Sequence, residues 1–283
     1  MALDLFICTN AVNYAVAKAL LAKRPRPAIL LYESRRFAVQ TLPGVRQWRL
    51  SVTALRWLRL RYGWLPFGTV HVPHHKLSAR LAPILAKARH VEFLDDGLDT
   101  LRTSPRNMDL AALKPGDVYN TFAEYPRLPP WLDALDVRRV ASLRDLLGGS
   151  LQPTMDLAPY DHVFVESPGL DPQSLSMALG LDNTRVLVVR HPIEFKRGPL
   201  PAGCASVVGN QVDCEGSLVA ARGKNVYFGE TMAFFIAWHG GAANHNRLWL
   251  QMAEAQWQGL CGLPAMKAVD LPGVAGRVAA VEA

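Results

Sequence analysis

The sequence lacks several motifs that mark large classes of protein. No GxxxxGK(S/T) or GxGxxG glycine pattern follows a predicted strand, so neither ATP nor NAD is an expected ligand. The GxSxG motif is also absent, which argues against hydrolases that carry their serine on that turn. The 283 residues include only four cysteines, with no histidine partners at metal-ligand spacing. We therefore expect a reducing compartment, no disulfide framework and no structural zinc.

Long apolar segments are missing as well. No run approaches 18 uninterrupted apolar residues, the length that a membrane-spanning helix needs. The opening MALDLFICTN contains Asp4, no basic residue and only a short apolar run, unlike a secretion signal. The sequence therefore predicts a cytoplasmic protein, and leaves open a peripheral contact with the inner face of a membrane.

Positive charge is in excess. The net charge is +7 and the isoelectric point is near 9.4, which predicts an anionic partner such as a nucleotide, a nucleic acid or a lipid surface. Residues 45–68 carry five arginines and three tryptophans, and as a helix would place Leu55, Leu58 and Tyr62 on one face. Such a helix either contacts lipid or packs on its own core with its arginines in water. No nucleic-acid-binding module is present, so no nucleic acid partner is expected.

Strand-like and helix-like segments alternate in both halves of the chain. The region 103–160, rich in Pro, Asp and Arg, interrupts this alternation, and the final twenty residues look like a weakly specified tail. The pattern predicts an α/β fold with two Rossmann-like domains whose parallel sheets face a cleft. We place these domains at residues 1–150 and 151–283.

Polar residues follow five of the predicted strands. In open parallel sheets, ligands bind beyond the carboxyl ends of strands, so these positions form the candidate site. They are Thr9-Asn10, Asp95-Asp96-Gly97, Glu166-Ser167-Pro168-Gly169, Arg190-His191-Pro192 and Gly229-Glu230-Thr231.

The adjacent carboxylates of Asp95 and Asp96 admit more than one interpretation. They form either a cap or turn, which Asp-Gly favours, or a catalytic base strengthened by its charged neighbour. A magnesium site that also uses Asp99 is disfavoured, because no other carboxylate cluster is placed to help. No metal is therefore predicted.

In the second half, His191 is the most informative residue. A histidine there either donates to a phosphate and acts as an acid near neutral pH, or merely ends a strand. Arg190 adds positive charge, and Pro192 favours a fixed turn.

Two further segments are suited to a phosphate or a nucleotide. Gly229-Glu230-Thr231 opens a predicted helix, where main-chain N–H groups and the Thr231 hydroxyl bind phosphate, or the threonine simply caps the helix. Ser167-Pro168-Gly169 either cradles a nucleotide through its backbone or makes a turn.

Asp95-Asp96-Gly97 after a strand of the first half, followed by His191-Pro192 after a strand of the second half, resembles the motifs of bacterial sialyltransferases and polysialyltransferases. Those families share a D/E-D/E-G motif, an HP motif and a Ser-Ser or Ser-Thr pair near a C-terminal helix. They adopt the GT-B arrangement of two Rossmann-like domains. The opening LFICTNAVNYAVAKALL is also similar to the first strand and helix of the lipooligosaccharide sialyltransferase branch.

The resemblance implies an inverting, metal-independent glycosyltransferase that needs no cofactor. It would move a sialic-acid-type sugar from a CMP donor to a hydroxyl of a surface polysaccharide or lipooligosaccharide. Asp95, or else Asp96, would take the proton of the acceptor hydroxyl, and His191 would contact the donor phosphate and act as acid for the leaving CMP. Thr231 stands at the family's second hydroxyl, whereas Glu230 replaces the first, which is a departure from the pattern.

The remaining site residues are assigned in the same way. The expected donor-binding residues are Ser167, Pro168, Gly169, Arg190, Pro192, Glu230 and Thr231. The expected acceptor-side residues are Thr9, Asn10 and Gly97.

Three alternatives stay open beside this interpretation. A close variant uses another nucleotide sugar such as CMP-Kdo. A different enzyme class, a two-domain nucleotide-sugar epimerase or hydrolase, would consume the donor without an acceptor. A degenerate relative would bind glycan or membrane through residues 45–68 without catalysis.

Overall fold

The computed structural model of the protein describes residues 3–23, 25–33, 39–62, 67–73, 78–94, 116–121, 130–132, 135–139, 153–191, 197–209, 211–229, 232–263 and 265–281. These residues form two compact units, unit 1 within residues 3–139 and unit 2 within residues 153–281. The predicted domain boundary at residue 150 lies outside the described residues and stays a prediction.

Unit 1 contains seven strands and three α-helices among its described residues. In chain order these are β1 (Leu3–Cys8), α1 (Ala11–Lys23), β2 (Ala28–Tyr32), β3 (Val45–Arg49), α2 (Val52–Tyr62), β4 (Phe67–Val72), α3 (Ser78–Leu85), β5 (His90–Leu94), β6 (Val118–Thr121) and β7 (Asp136–Arg139). The strands form one sheet in the order β3-β2-β1-β4-β5-β6-β7, and every neighbouring pair is parallel.

The centre of this sheet is buried on both faces. Leu5 to Cys8 in β1 and Ala28 to Leu31 in β2 are almost inaccessible to solvent. Their near-continuous apolar sequences are typical of central parallel strands, which have no solvent-facing side and therefore do not alternate.

Unit 2 contains seven strands and four α-helices among its described residues. In chain order these are β8 (His162–Val165), α4 (Pro172–Leu179), β9 (Val186–Arg190), β10 (Ala205–Val208), α5 (Gln211–Ala220), β11 (Asn225–Phe228), α6 (Met232–His239), β12 (Arg247–Met252), α7 (Glu254–Leu260), β13 (Met266–Val269) and β14 (Arg277–Val281). The sheet order is β10-β9-β8-β11-β12-β14-β13, and only the pairs that include β14 are antiparallel.

The prediction of an α/β fold with two largely parallel sheets is confirmed. Asp171 caps α4 by accepting a hydrogen bond from Ser174 N, as Asp at this position favours. The helix ends at Gly180, which adopts a left-handed conformation with φ of 61°.

The prediction of one helix over residues 45–68 is wrong in its first part. Val45–Arg49 is the edge strand β3, paired in parallel with β2, and the helix begins only at Val52. Edge strands need only one apolar face, and Arg46 and Arg49 in β3 are exposed. Its mixed sequence therefore resembles an amphipathic helix.

A further prediction is wrong. The last residues are not a weakly specified tail, because β14 lies between β12 and β13 with Val278 to Val281 buried. The interrupted region 103–160 contains β6 and β7, which extend the first sheet. These strands are four or five residues long, so their sequences carry little pattern and the neighbouring strands determine their structure.

Candidate functional site

In each sheet, successive strands are added first on one side of the first strand and then on its other side. This strand reversal lies between β1 and β4 in unit 1 and between β8 and β11 in unit 2. In open α/β sheets, ligands bind outside the carboxyl ends of strands at such a reversal. The strands preceding the five predicted polar segments end at Cys8, Leu94, Val165, Arg190 and Phe228. The predicted segments therefore follow strand ends, except that Arg190 is itself the last residue of β9.

At the carboxyl edge of unit 2, a buried carboxylate organises the chain around it. Glu166 directly follows β8, and its side chain is only 2% exposed. Its Oε2 accepts hydrogen bonds from Arg190 Nε at 3.1 Å and from His191 N at 2.8 Å, and its Oε1 accepts from Gly198 N at 2.7 Å. Burying a charge is costly unless it is paired and hydrogen-bonded, and these three donors meet that need.

Two arginines complete this arrangement. Arg190 Nη2 donates to Gly198 O at 2.9 Å, and Arg197 Nε donates to His191 O at 2.8 Å. Both main-chain polar groups of His191 are thus held, its N–H by Glu166 and its carbonyl by Arg197. The backbone of His191 is fixed beside two guanidinium groups, and its side chain is partly exposed. We call Glu166, Arg190, His191 and Arg197 the carboxylate–arginine cluster.

The charge of this cluster favours an anionic ligand. Two guanidinium groups and one carboxylate leave it net positive before His191 is counted. Cationic side chains that are already oriented in the folded protein stabilise negative charge well, because ligand binding then requires no further free energy to orient them. Phosphate groups are anions that such a cluster suits.

The predicted nucleotide cradle divides into a buried and an exposed part. Ser167 is buried, and its hydroxyl donates to Val165 O at 3.2 Å and accepts from Gly229 N at 3.0 Å. Pro168 and Gly169 are exposed, and Gly169 has φ of 82°. With the Leu170 N to Ser167 O hydrogen bond of 3.2 Å, this is a tight turn with Pro and Gly at its centre.

The two loops at the strand reversal of unit 2 are in direct contact. A Cβ added to Gly229 would lie 2.5 Å from Pro168 O and 2.6 Å from Leu170 N. Only glycine allows this approach of two main chains. Ser167 and Gly229 therefore join the ends of β8 and β11, and donor binding by this segment stays a prediction.

Directly after β1 of unit 1, the polar residues Thr9 and Asn10 are neutral. Asn10 caps α1, since its Oδ1 accepts from Asn13 N at 2.9 Å, a role that asparagine favours at a helix start. Thr9 Oγ1 donates to Asn13 Oδ1 at 3.3 Å, and buried Asn13 donates through Nδ2 to Pro73 O at 3.4 Å. Asn13 thus links the start of α1 to the residue after β4.

Several predicted site residues lie outside the described residues. They are Asp95, Asp96, Gly97, Pro192, Glu230 and Thr231. Leu94 ends β5 immediately before Asp95, and Asn120 in β6 donates through Nδ2 to Phe93 O at 3.1 Å. That bond fixes the strand end that precedes the acidic pair.

Sequence reasoning placed Glu166 in the candidate site without a role of its own, and it did not single out Arg197 or Asn120. A carboxylate directly after a buried strand, the same pattern that drew attention to Asp95, was the available signal for Glu166. Arg197 and Asn120 carried no signal, because their partners are main-chain atoms of other segments.

Within the described ranges, no group of three or more His, Cys, Asp or Glu side chains is arranged to hold a metal ion. The same ranges contain no helix with the length and apolar character needed to cross a bilayer. The Asp95–Asp99 segment lies beyond these ranges, so metal independence stays a prediction.

Comparisons with known proteins give the chain no family. No protein-family model matches the sequence, and no curated protein matches it.

Proposed function

We propose that this protein is an inverting, metal-independent glycosyltransferase of the GT-B type. It transfers a sialic-acid-type sugar from a CMP donor to a hydroxyl of a surface glycan. The observation that carries the proposal is the carboxylate–arginine cluster, in which the backbone of His191 is held beside Arg190 and Arg197 at a strand end. Two units with sheets ordered 3-2-1-4-5 over their first five strands also support it, since Rossmann-type sheets share this order.

The chemistry of the leaving group suits the cluster. As the bond between the anomeric carbon and the phosphate oxygen breaks, negative charge builds on CMP. Arg190 and Arg197 stabilise that charge, and His191, when protonated, donates a proton to it. Glu166 does not touch the donor in this scheme; it positions His191 and Arg190.

On the acceptor side, Asp95 or Asp96 takes the proton from the attacking hydroxyl. The hydroxyl oxygen bonds to the anomeric carbon from the face opposite CMP, which inverts the configuration of that carbon. Thr9 and Asn10 contact the acceptor in this scheme, although the Thr9 hydroxyl also donates to Asn13 Oδ1 and the Asn10 Oδ1 also caps α1.

Calorimetric titration with CMP, UMP and GMP tests the donor site. We expect selective CMP binding that His191→Ala weakens about tenfold or more, since a hydrogen bond to a charged group contributes roughly 1.5–3 kcal/mol. The control is His245→Ala, which removes an exposed histidine of unit 2 outside the cluster. Binding without preference for CMP, or equal binding by both variants, contradicts the donor assignment.

Turnover with CMP-sialic acid and a glycan acceptor tests the reaction. Asp95→Asn and Asp96→Asn are assayed separately, and we expect one of them to lose nearly all transfer while still binding CMP. Normal turnover by both variants contradicts a carboxylate base. Transfer from CMP-Kdo alone would redefine the donor sugar, donor consumption without acceptor would indicate a hydrolase, and CMP binding without any transfer would indicate a degenerate relative.

A further inference from the structure

The positive charge of the chain is concentrated in one acid-free stretch. Between Glu33 and Glu92 the sequence contains no aspartate or glutamate but eleven arginines and lysines. This stretch carries +11, whereas the whole chain carries +7, so all other residues together carry −4. The excess charge of the protein therefore belongs to this part of unit 1.

Helix α2, within that stretch, exposes apolar and cationic side chains together. Val52 is 68% exposed, Leu60 is 78% exposed and Trp57 is 37% exposed. Six large hydrophobic side chains are exposed among the described residues, and these are three of them. The helix is anchored to its own core through Leu58, which is buried. Val52 and Leu60 are largely exposed and so contribute little to that packing.

Arginines surround these apolar side chains. Arg56, Arg59 and Arg61 are all exposed, and the Arg61 guanidinium lies 4.9 Å from the centre of the Trp57 ring. Trp57 also contacts Trp48 of β3 edge to face, with ring centres 4.7 Å apart. This contact joins α2 to the strand that exposes Arg46 and Arg49, which extends the cationic surface.

A groove beside α2 has the same mixed character. Its volume is about 440 Å³. Its apolar lining residues include Leu58, Phe67 and Ile84, while Arg56, Arg59 and Lys87 supply its cations. Among its described lining residues there is no acid, so it offers an apolar surface beside positive charge alone.

We propose that α2 and this groove dock the protein on an anionic phospholipid bilayer. Arginine and lysine attract lipid phosphates, and exposed Trp and Leu side chains enter the boundary between headgroups and acyl chains. A soluble polyanion would use the arginines but would leave the exposed Leu60 and Val52 without a role. The proposal does not depend on the glycosyltransferase assignment, since none of these residues belongs to the carboxylate–arginine cluster.

Vesicle sedimentation tests the charge requirement. We expect the wild-type chain to sediment with vesicles that contain phosphatidylglycerol and phosphatidylcholine, and not with phosphatidylcholine alone. Arg56→Glu/Arg59→Glu should lower partitioning about tenfold or more, since each basic residue near an anionic surface contributes about 1 kcal/mol. The matched control, Lys23→Glu/Lys267→Glu, makes the same charge change at exposed lysines of two other elements, α1 and β13, and should retain binding.

A second pair of variants tests the apolar requirement. Leu60→Ser should weaken partitioning roughly tenfold, because a leucine side chain leaving water contributes about 1.5 kcal/mol or more. Met177→Ser changes a comparably exposed side chain of unit 2, at 69%, and should have no effect. Circular dichroism establishes that each variant retains its helix content.

Three outcomes would overturn the proposal. The first is equal sedimentation with both kinds of vesicle. The second is unchanged partitioning of the Arg56/Arg59 variant. The third is binding to dextran sulfate without binding to vesicles, which would assign the surface to soluble polyanions.

Discussion

The two sheets place different chemistry at the same topological position. At the strand reversal of unit 1, the described polar residues directly after β1 are neutral, namely Thr9 and Asn10, and Glu33 follows the neighbouring strand β2. At the reversal of unit 2 and the neighbouring end of β9, they include Glu166, Arg190 and Arg197. The shared strand order fixes where a site can form, and the side chains after the strands decide which ligand it suits.

Net charge points to unit 1, whereas the candidate phosphate site lies in unit 2. Residues 1–141 carry a formal charge of +10, and residues 142–283 carry −3. The cations of unit 1 described above lie on α2, β3 and the groove, whereas acidic unit 2 holds Arg190 and Arg197 at its carboxyl edge. A local cluster, and not the charge of a domain, identifies the candidate phosphate site.

The largest effect on stability should come from Glu166. We expect Glu166→Ala to lower the free energy of unfolding by about 3–5 kcal/mol, since it removes one partner of a buried ion pair. Arg190 and the main-chain N–H groups of His191 and Gly198 would each lose their acceptor. Urea unfolding of the wild type and the variant measures the difference.

The control for that experiment is a surface ion pair of the same unit. Glu254 pairs with Arg277, and both side chains are more than half exposed. Glu254→Ala should have a much smaller effect, because water and ions screen exposed pairs. Equal losses in the two variants would show that Glu166 does not organise the edge.

The next largest effect should come from Gly229. Gly229→Ala places a methyl group against the main chain of Pro168 and Leu170, and we expect a loss of about 1–3 kcal/mol. Gly198→Ala is the matched control, since its added Cβ would meet only Glu166 Oε1, at 4.0 Å. Thermal unfolding compares the two, and similar midpoints would contradict the close contact at the strand reversal.

Glycine at position 229 also shows what the sequence could and could not predict. The end of β11 was predictable, because an apolar run stops there. The close approach of the loop after β8 was not predictable, because it brings together residues about sixty positions apart in the sequence. The helix caps formed by Asn10 and Asp171 were predictable, since each is a hydrogen bond between residues only three positions apart in the sequence.

The same distinction applies to the rest of the fold and the site. The central strands carry enough apolar residues to be recognised, whereas β3, β6, β7, β13 and β14 depend on their neighbours in the sheet. His191 stood out by its residue type after an apolar strand. The role of Glu166 depends on Gly198, 32 residues further along the chain, and no local pattern encodes that contact.

A smaller effect on stability should come from the hydrogen bonds that connect the chain segments at the two strand reversals, one in each unit. Ser167→Ala removes the acceptor of Gly229 N, and Asn13→Ala removes the donor to Pro73 O. We expect each substitution to lower the free energy of unfolding by about 1–2 kcal/mol, because it leaves a buried donor or acceptor without its partner. Hydrogen exchange measured by mass spectrometry should show faster exchange only within the unit that carries the change. Faster exchange in only one of the two variants would show that the two strand reversals are not stabilised in the same way.

The smallest predicted effect is a pH dependence that belongs to unit 2. His162 contacts the Tyr227 hydroxyl through Nδ1 at 3.0 Å, and burial lowers the pKa of His162 below its usual value. His162 therefore binds a proton more readily in the unfolded chain than in the folded one. The contribution of neutral His162 to the free energy of unfolding is fully present above about pH 6.5 and is lost as the pH falls below that value. His162→Phe should flatten the slope of unfolding free energy between about pH 6.5 and 5. Tyr227→Phe should leave that slope in place, because burial, and not the hydroxyl, is the main cause of the lowered pKa. An unchanged slope in His162→Phe would show that another group controls this range.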